Sequence, residues 1–184
     1  TPEQDANSLG GHVAVKTLSA FDQPGRFFSL EAGANHDGNS GKTRPRAAAT
    51  FADRFLDGKL GLALALSHDE RAFASDNVET GGAWDLDGST AKLEELERRK
   101  YSITRQRQGA ALNLDWRPEN GQSYYLRMFS SRFSDDEQRQ AQGVEFEDAQ
   151  AEGESGDAEV TRALKARKET ARIASLTLGG ERRF

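Results

Sequence analysis

Three histidines, two of them beside an aspartate, are the first residues to weigh for chemistry. His36 precedes Asp37 and His68 precedes Asp69, while His12 stands apart. Two imidazoles and two carboxylates could ligate a metal if the fold brought them together. No His-x-x-x-His spacing sets two of them on one helix face, so they read as polar residues near loop ends and no metal is expected. Ser67-His68-Asp69 has the residue types of a nucleophile, a base and an orienting acid. Neighbours along a strand point to opposite faces, so these three cannot converge as a triad. No Gly-x-Ser-x-Gly elbow is present. Gly41-Lys42-Thr43 resembles the end of a phosphate loop, but His36 stands where the first glycine is required. The carboxylate pairs Glu94-Glu95 and Asp135-Asp136 fall in stretches that read as loops. Neither enzymatic activity nor a bound cofactor is expected.

A second polar set is more coherent. Glu31, Asn35, Thr50, Arg54, Arg105, Arg107, Asn113, Asp115 and Arg127 all have the parity of the non-apolar face of their strands. Arginine forks suit anionic or hydroxyl-rich ligands, and Glu31, Asn35, Arg54, Arg105, Arg107 and Arg127 are the ligand-contact candidates. The same side chains can instead pair with carboxylates of a domain packed against that face.

The elements that carry these residues follow from period-2 alternation. Leu60, Leu62, Leu64 and Leu66 alternate with Gly61, Ala63, Ala65 and Ser67. Five further segments alternate likewise, around Phe28–Ala34, Ala47–Phe55, Ala110–Trp116, Tyr124–Met128 and Ala174–Leu178, with Asp53 interrupting the second. Six strands are therefore predicted. Asp57-Gly58 and Asn120-Gly121 mark tight hairpins. Longer polar stretches, about 36–44, 69–100 and 134–167, are expected as long loops at the opposite end. Within them, 90–100 could form a short helix. The run 135–159, with ten acidic residues against the single Arg139, reads as a solvated mobile loop. The small face opposite the third strand's leucines suits close approach by another domain.

Short turns at one end, long loops at the other and aromatics at the short-turn ends (Phe28, Phe55, Trp116, Tyr124 and Phe184) are the plan of an outer-membrane β-barrel. Composition agrees, because 35% hydrophobic and 30% charged residues are polar for a packed core but adequate for a wall apolar on one side only. A net charge of -5 gives no reason to expect nucleic-acid binding. The absence of cysteine excludes disulfides and thiolate metal sites. No window of 18 apolar residues offers a membrane helix.

The opening segment, Thr1-Pro2-Glu3-Gln4-Asp5-Ala6-Asn7-Ser8-Leu9-Gly10-Gly11-His12-Val13-Ala14-Val15-Lys16-Thr17, resembles the end of the plug domain in TonB-dependent receptors. Asp5, Gly10, Gly11, Val13, Val15 and Thr17 carry the match, and His12 departs from it by replacing a small β-branched residue. Leu18–Asp22 resembles the linker into the barrel, and Ser75–Gly82, Ser131–Glu137 and Arg167–Thr170 are similar to barrel segments of the family. The resemblance implies that residues 1–20 close a plug domain and that residues 21–184 supply the first six or so strands of an antiparallel barrel in the bacterial outer membrane. It further implies energised uptake of a scarce small-molecule solute (an iron chelate, cobalamin or a carbohydrate), with outer-membrane lipid and the inner-membrane energy-coupling TonB complex as partners. Six strands fall short of the roughly eight that close a barrel, so the chain is expected to be a section of something larger. The alternatives are a structural or adhesive barrel whose loops bind a partner, and a soluble β-sandwich.

Overall fold

The computed structural model describes residues 17–183, and these form an all-β architecture. A single 3-10 turn, Ala20–Asp22, precedes strands β1 (Phe27–Asp37), β2 (Lys42–Phe55), β3 (Leu60–Glu79), β4 (Trp84–Asp85), β5 (Lys92–Trp116), β6 (Gln122–Gln150) and β7 (Ala158–Arg182). They make one seven-stranded antiparallel sheet in the order β1-β2-β3-β5-β6-β7, with the two-residue β4 pairing β5. The sheet is open, with β1 and β7 as its outer strands.

The alternation sets the register. Phe28, Phe51, Leu64, Leu112, Met128 and Leu176 lie directly opposite one another in succession across six strands. Cross-strand partners share a face, so one row places six large apolar side chains together. Two rows farther toward the short turns the band ends with Phe55, Leu60, Trp116 and Tyr124, where the Trp116 and Tyr124 rings lie 5.6 Å apart. Asp53, the interruption in this face, is bound by Arg26 at 2.7 Å.

No second sheet among the described residues covers this apolar face. Leu30 is 67% exposed, Leu176 67% and Leu178 78%. The buried hydrophobic cluster is small and lies on the other face, where Ala20, Ala52 and Ala63 meet under Leu18 and Phe27.

Both glycine-marked hairpins form. The β2–β3 turn holds Leu56, Asp57 and Gly58 all at positive φ, and Lys59 N–H donates to the Leu56 carbonyl at 3.1 Å. Gly121 occupies positive φ in the β5–β6 turn. Only glycine enters that region without steric cost, which makes Leu56 the strained position of its turn.

The long polar stretches differ from the expectation. Most of 69–79, 92–100, 134–150 and 158–167 is strand, continuing β3, β5, β6 and β7 well beyond the apolar band. Residues 92–100 are β5 rather than a helix, and most of the acidic run lies in β6, leaving 151–157 as the connection. Cross-strand charge complementarity accounts for this. Arg105 meets Asp135 at 2.7 Å, Arg167 meets Glu137 at 3.2 Å, and Arg99 bridges Glu79 on β3 and Glu97 beside it on β5. Opposite charges facing across strands stabilise a ladder that has no apolar face.

The β2–β3 ladder ends at Arg46 and Asp69, leaving the outer part of the β3 edge without a strand partner on that side. The β1–β2 tip supplies side-chain partners instead. Asn35 donates to the Glu70 carbonyl (2.8 Å), Ser40 Oγ to the Ala72 carbonyl (2.9 Å) and Asn39 to the Ala74 carbonyl (3.1 Å), while Ala74 N–H donates to Asp37 (3.2 Å).

Candidate functional site

The polar face has two parts, and each follows from the register. Near the short turns, β3 presents Gly61 and Ala63, β5 presents Asn113 and Asp115, and β6 presents Arg127, all with one parity. The segment from Thr17 to Asp22 lies in this cradle. Ser19 caps the 3-10 turn with a capping box, and its hydroxyl donates to Asp115 Oδ2 at 2.7 Å. Asn113 Nδ2 donates to Thr17 Oγ1 (2.6 Å) and to the Leu18 carbonyl (2.7 Å). Arg127 pairs with the second oxygen of Asp115, donates to the Leu114 carbonyl at 2.9 Å and stacks over Tyr125. Phe21 fills the space above Gly61, beneath the Arg117 guanidinium 3.8 Å from its ring centroid. The small residues of β3 thus leave room for Ala20 and Phe21.

Farther along the strands, arginines and aromatics alternate. Arg105 lies between Phe73 and Phe133, 5.4 and 5.5 Å from their centroids, while bound to Asp135, a residue only 3% exposed. Arg107 stacks on Phe133 at 5.6 Å and has no ion-pair partner among the described residues. A cleft of about 540 Å³ opens here, lined by Asn35, Arg71, Phe73, Arg105 and Arg107. Arg105 is committed to Asp135, whereas Arg107, held over an aromatic face, keeps its donors available to an anion.

Each predicted ligand-contact residue therefore lies on one face, but most are engaged. Glu31 pairs with Arg46, Asn35 binds Asp69 at 3.0 Å, Arg54 donates to the Pro24 carbonyl at 2.6 Å, and Arg105 and Arg127 hold carboxylates. Arg107 alone of the six has no hydrogen-bond or ion-pair partner among the described residues. Asp5, Gly10, Gly11, Val13, Val15 and His12 lie outside the described residues, as does Phe184, whereas Thr17 is held by Asn113. Sequence reading missed Asp135, Glu137 and Arg71, because it placed the first two in a loop and the third beyond a strand end. The parity of β3 and β6, carried a few residues farther, would have found them.

His36 and His68 do not meet. His36 accepts or donates at Thr43 Oγ1 (2.9 Å), while His68 faces Ala47 across the β2–β3 ladder. Among the described residues no cluster of three His, Asp or Glu side chains has metal-binding geometry. Ser67 and Asp69 take one face and His68 the other, so they do not converge.

At the hairpin tip, the backbone N–H of Ser40 donates to Asp37 Oδ1 at 2.8 Å and holds the Asp37 carboxyl below its ordinary value.

Comparisons with family models, with curated proteins and with solved structures found no match to this chain.

Proposed function

We propose that this sheet is a section of the wall of an outer-membrane β-barrel, and that the barrel is an energised transporter of the TonB-dependent receptor kind. The observation that carries the reading is the apolar face. Six strands align their apolar residues in register, and nothing among the described residues covers them. In water such a face is a liability, and in lipid it is the required outer surface. From Tyr124 to the first charged residue of that parity, Arg132, the β6 band spans the nine or so residues that cross a bilayer as a tilted strand. Open edges are untenable in hydrocarbon, so further strands complete the wall beyond β1 and β7.

Two features favour a plugged transporter over a structural barrel. The opening segment resembles a plug end, and the residues that follow it lie on the polar face, inside such a wall. The solute would pass the arginine-lined face. The coupling complex would act on the plug, and neither cofactor nor covalent chemistry is needed.

The deciding experiment has two stages. The native polypeptide is extracted from outer membranes and its mass taken, and solute uptake is then compared in cells with and without the energy-coupling protein. A mass several times 20.2 kDa with coupler-dependent uptake is expected. Recovery in the soluble fraction without detergent would end the barrel reading. Uptake unchanged by loss of the coupler would leave a passive or adhesive barrel.

A further inference from the structure

The edge of the apolar band farthest from the short turns ends in a row of a different kind. Ala32, Ala47, His68, Gln108, Arg132 and Arg172 follow one another across the sheet, directly beyond the row of Leu30, Ala49, Leu66, Ala110, Ser130 and Ala174. Arg132 and Arg172 are thus direct cross-strand partners on the apolar face. Like charges directly opposite destabilise a ladder. No carboxylate stands on the row, and neither arginine has an ion-pair partner among the described residues. Asp136, the next carboxylate on this face of β6, lies four residues farther along and faces Lys168. A groove of about 480 Å³ is lined here by Gln108, Arg132 and Arg172 together with the small side chains of Ala110, Ser130 and Ala174.

We infer that Arg132 and Arg172 clamp the phosphate of an anionic lipid headgroup whose acyl chains lie along the apolar band. The inference rests on the membrane-wall reading and adds to it a specific lipid site. A phosphate between the arginines converts their repulsion into two charge-assisted forks. The position is right for a headgroup, because the row marks the point where the outward face changes from aliphatic to charged. Gln108 on β5 can donate to the same phosphate or its ester oxygens.

The full-length protein, purified in uncharged detergent, is transferred to phosphatidylcholine bilayers with or without phosphatidic acid, and the retained lipid is counted by native mass spectrometry. Wild type should retain phosphatidic acid in preference to phosphatidylcholine. The double variant Arg132→Gln, Arg172→Gln should lose that preference by about 30-fold, at roughly one surface charge's attraction per arginine. In lipid-free detergent the same variant should unfold at a temperature no lower than wild type, because the repulsion is gone. Arg132→Lys with Arg172→Lys should keep only the part of the preference that comes from charge and lose the part that comes from the forks. Equal retention by wild type and the glutamine variant, in a protein that inserts into both bilayers, overturns this inference and leaves the wall intact. Displacement of the lipid by inorganic phosphate at matched concentration means the clamp takes a free anion, and also overturns it. Failure to insert into either bilayer removes the wall reading and this site together.

Discussion

Ser19 Oγ donates to Asp115 Oδ2 at 2.7 Å, although 96 residues separate them, and both residues are almost fully buried. This bond and the Asn113 bonds to Thr17 and Leu18 fix the entering segment to the middle of the sheet. Asp115 also holds Arg127, so one carboxylate joins the linker, β5 and β6. Asp115→Ala removes both partners at once and leaves Arg127 partly buried without a counter-charge. A loss of roughly 2–3 kcal/mol is expected, reduced from a fully buried pair by Arg127's remaining exposure. The check is denaturant unfolding together with the rate of protease cleavage within residues 17–26, which should rise. Unchanged cleavage would mean that other contacts hold the linker.

Gly61 offers a second test of the same seat. A Cβ there would lie 2.7 Å from the Phe21 ring and 3.2 Å from Ala20 Cβ. Gly61→Val should lift the linker from the sheet, at a cost of about 1–3 kcal/mol. Because the chain has no cysteine, Ala20→Cys provides a clean reporter. Thiol labelling of that cysteine should be slow with Gly61 and at least several-fold faster with valine.

The two faces should respond oppositely to charge. Leu176 is in the middle of the apolar band, and Thr177 beside it points the other way. Leu176→Arg should weaken folding into lipid vesicles by about 2–4 kcal/mol, as for a lipid-facing strand near the bilayer midplane. Thr177→Arg should cost far less. If Leu176→Arg were neutral or improved solubility, water rather than lipid would be the solvent of that face.

Asp37 accepts the Ala74 N–H at 3.2 Å on the outer edge of β3. Its folded carboxyl titrates below the ordinary value, so its contribution is present above the unfolded-state value and is lost as pH falls through the folded one. Hydrogen exchange at the Ala74 amide, corrected for intrinsic rate, should therefore lose protection on acidification below the ordinary carboxylate range. Asp37→Asn should remove most of that pH dependence.

The apolar halves of the strands were legible because Leu60–Leu66, Ala110–Trp116 and Tyr124–Met128 contrast an apolar face with a small or polar one. The Asp57-Gly58 and Asn120-Gly121 turns then fixed the register between their neighbours. The outer halves were not legible, for a physical reason. In 92–107 and 132–150 both faces are polar, so alternation leaves no hydropathy signal. What holds them is pairing between residues remote in sequence, as with Arg105 and Asp135 or Glu137 and Arg167. The parity of Arg105, Arg107 and Arg127 was readable, whereas their carboxylate and aromatic partners required the ladder itself. The arginine pair Arg132 and Arg172 was hidden for the same reason, since 40 residues separate two side chains that only the β6–β7 pairing brings opposite.

The order of the sheet has a bearing on how it is made. Every long strand pairs with the next long strand along the chain, and the small β4 adds only to β5. Each new pairing then closes a connection of a few to a dozen residues, which costs little chain entropy. The sheet can be laid down from β1 toward β7, each hairpin using the last as its template. In the proposed barrel, β7 would offer its whole 25-residue edge to the next strand. The distant joining there would be the seam at β1, whose 11 residues make it the shortest of the long strands described and the least demanding to close.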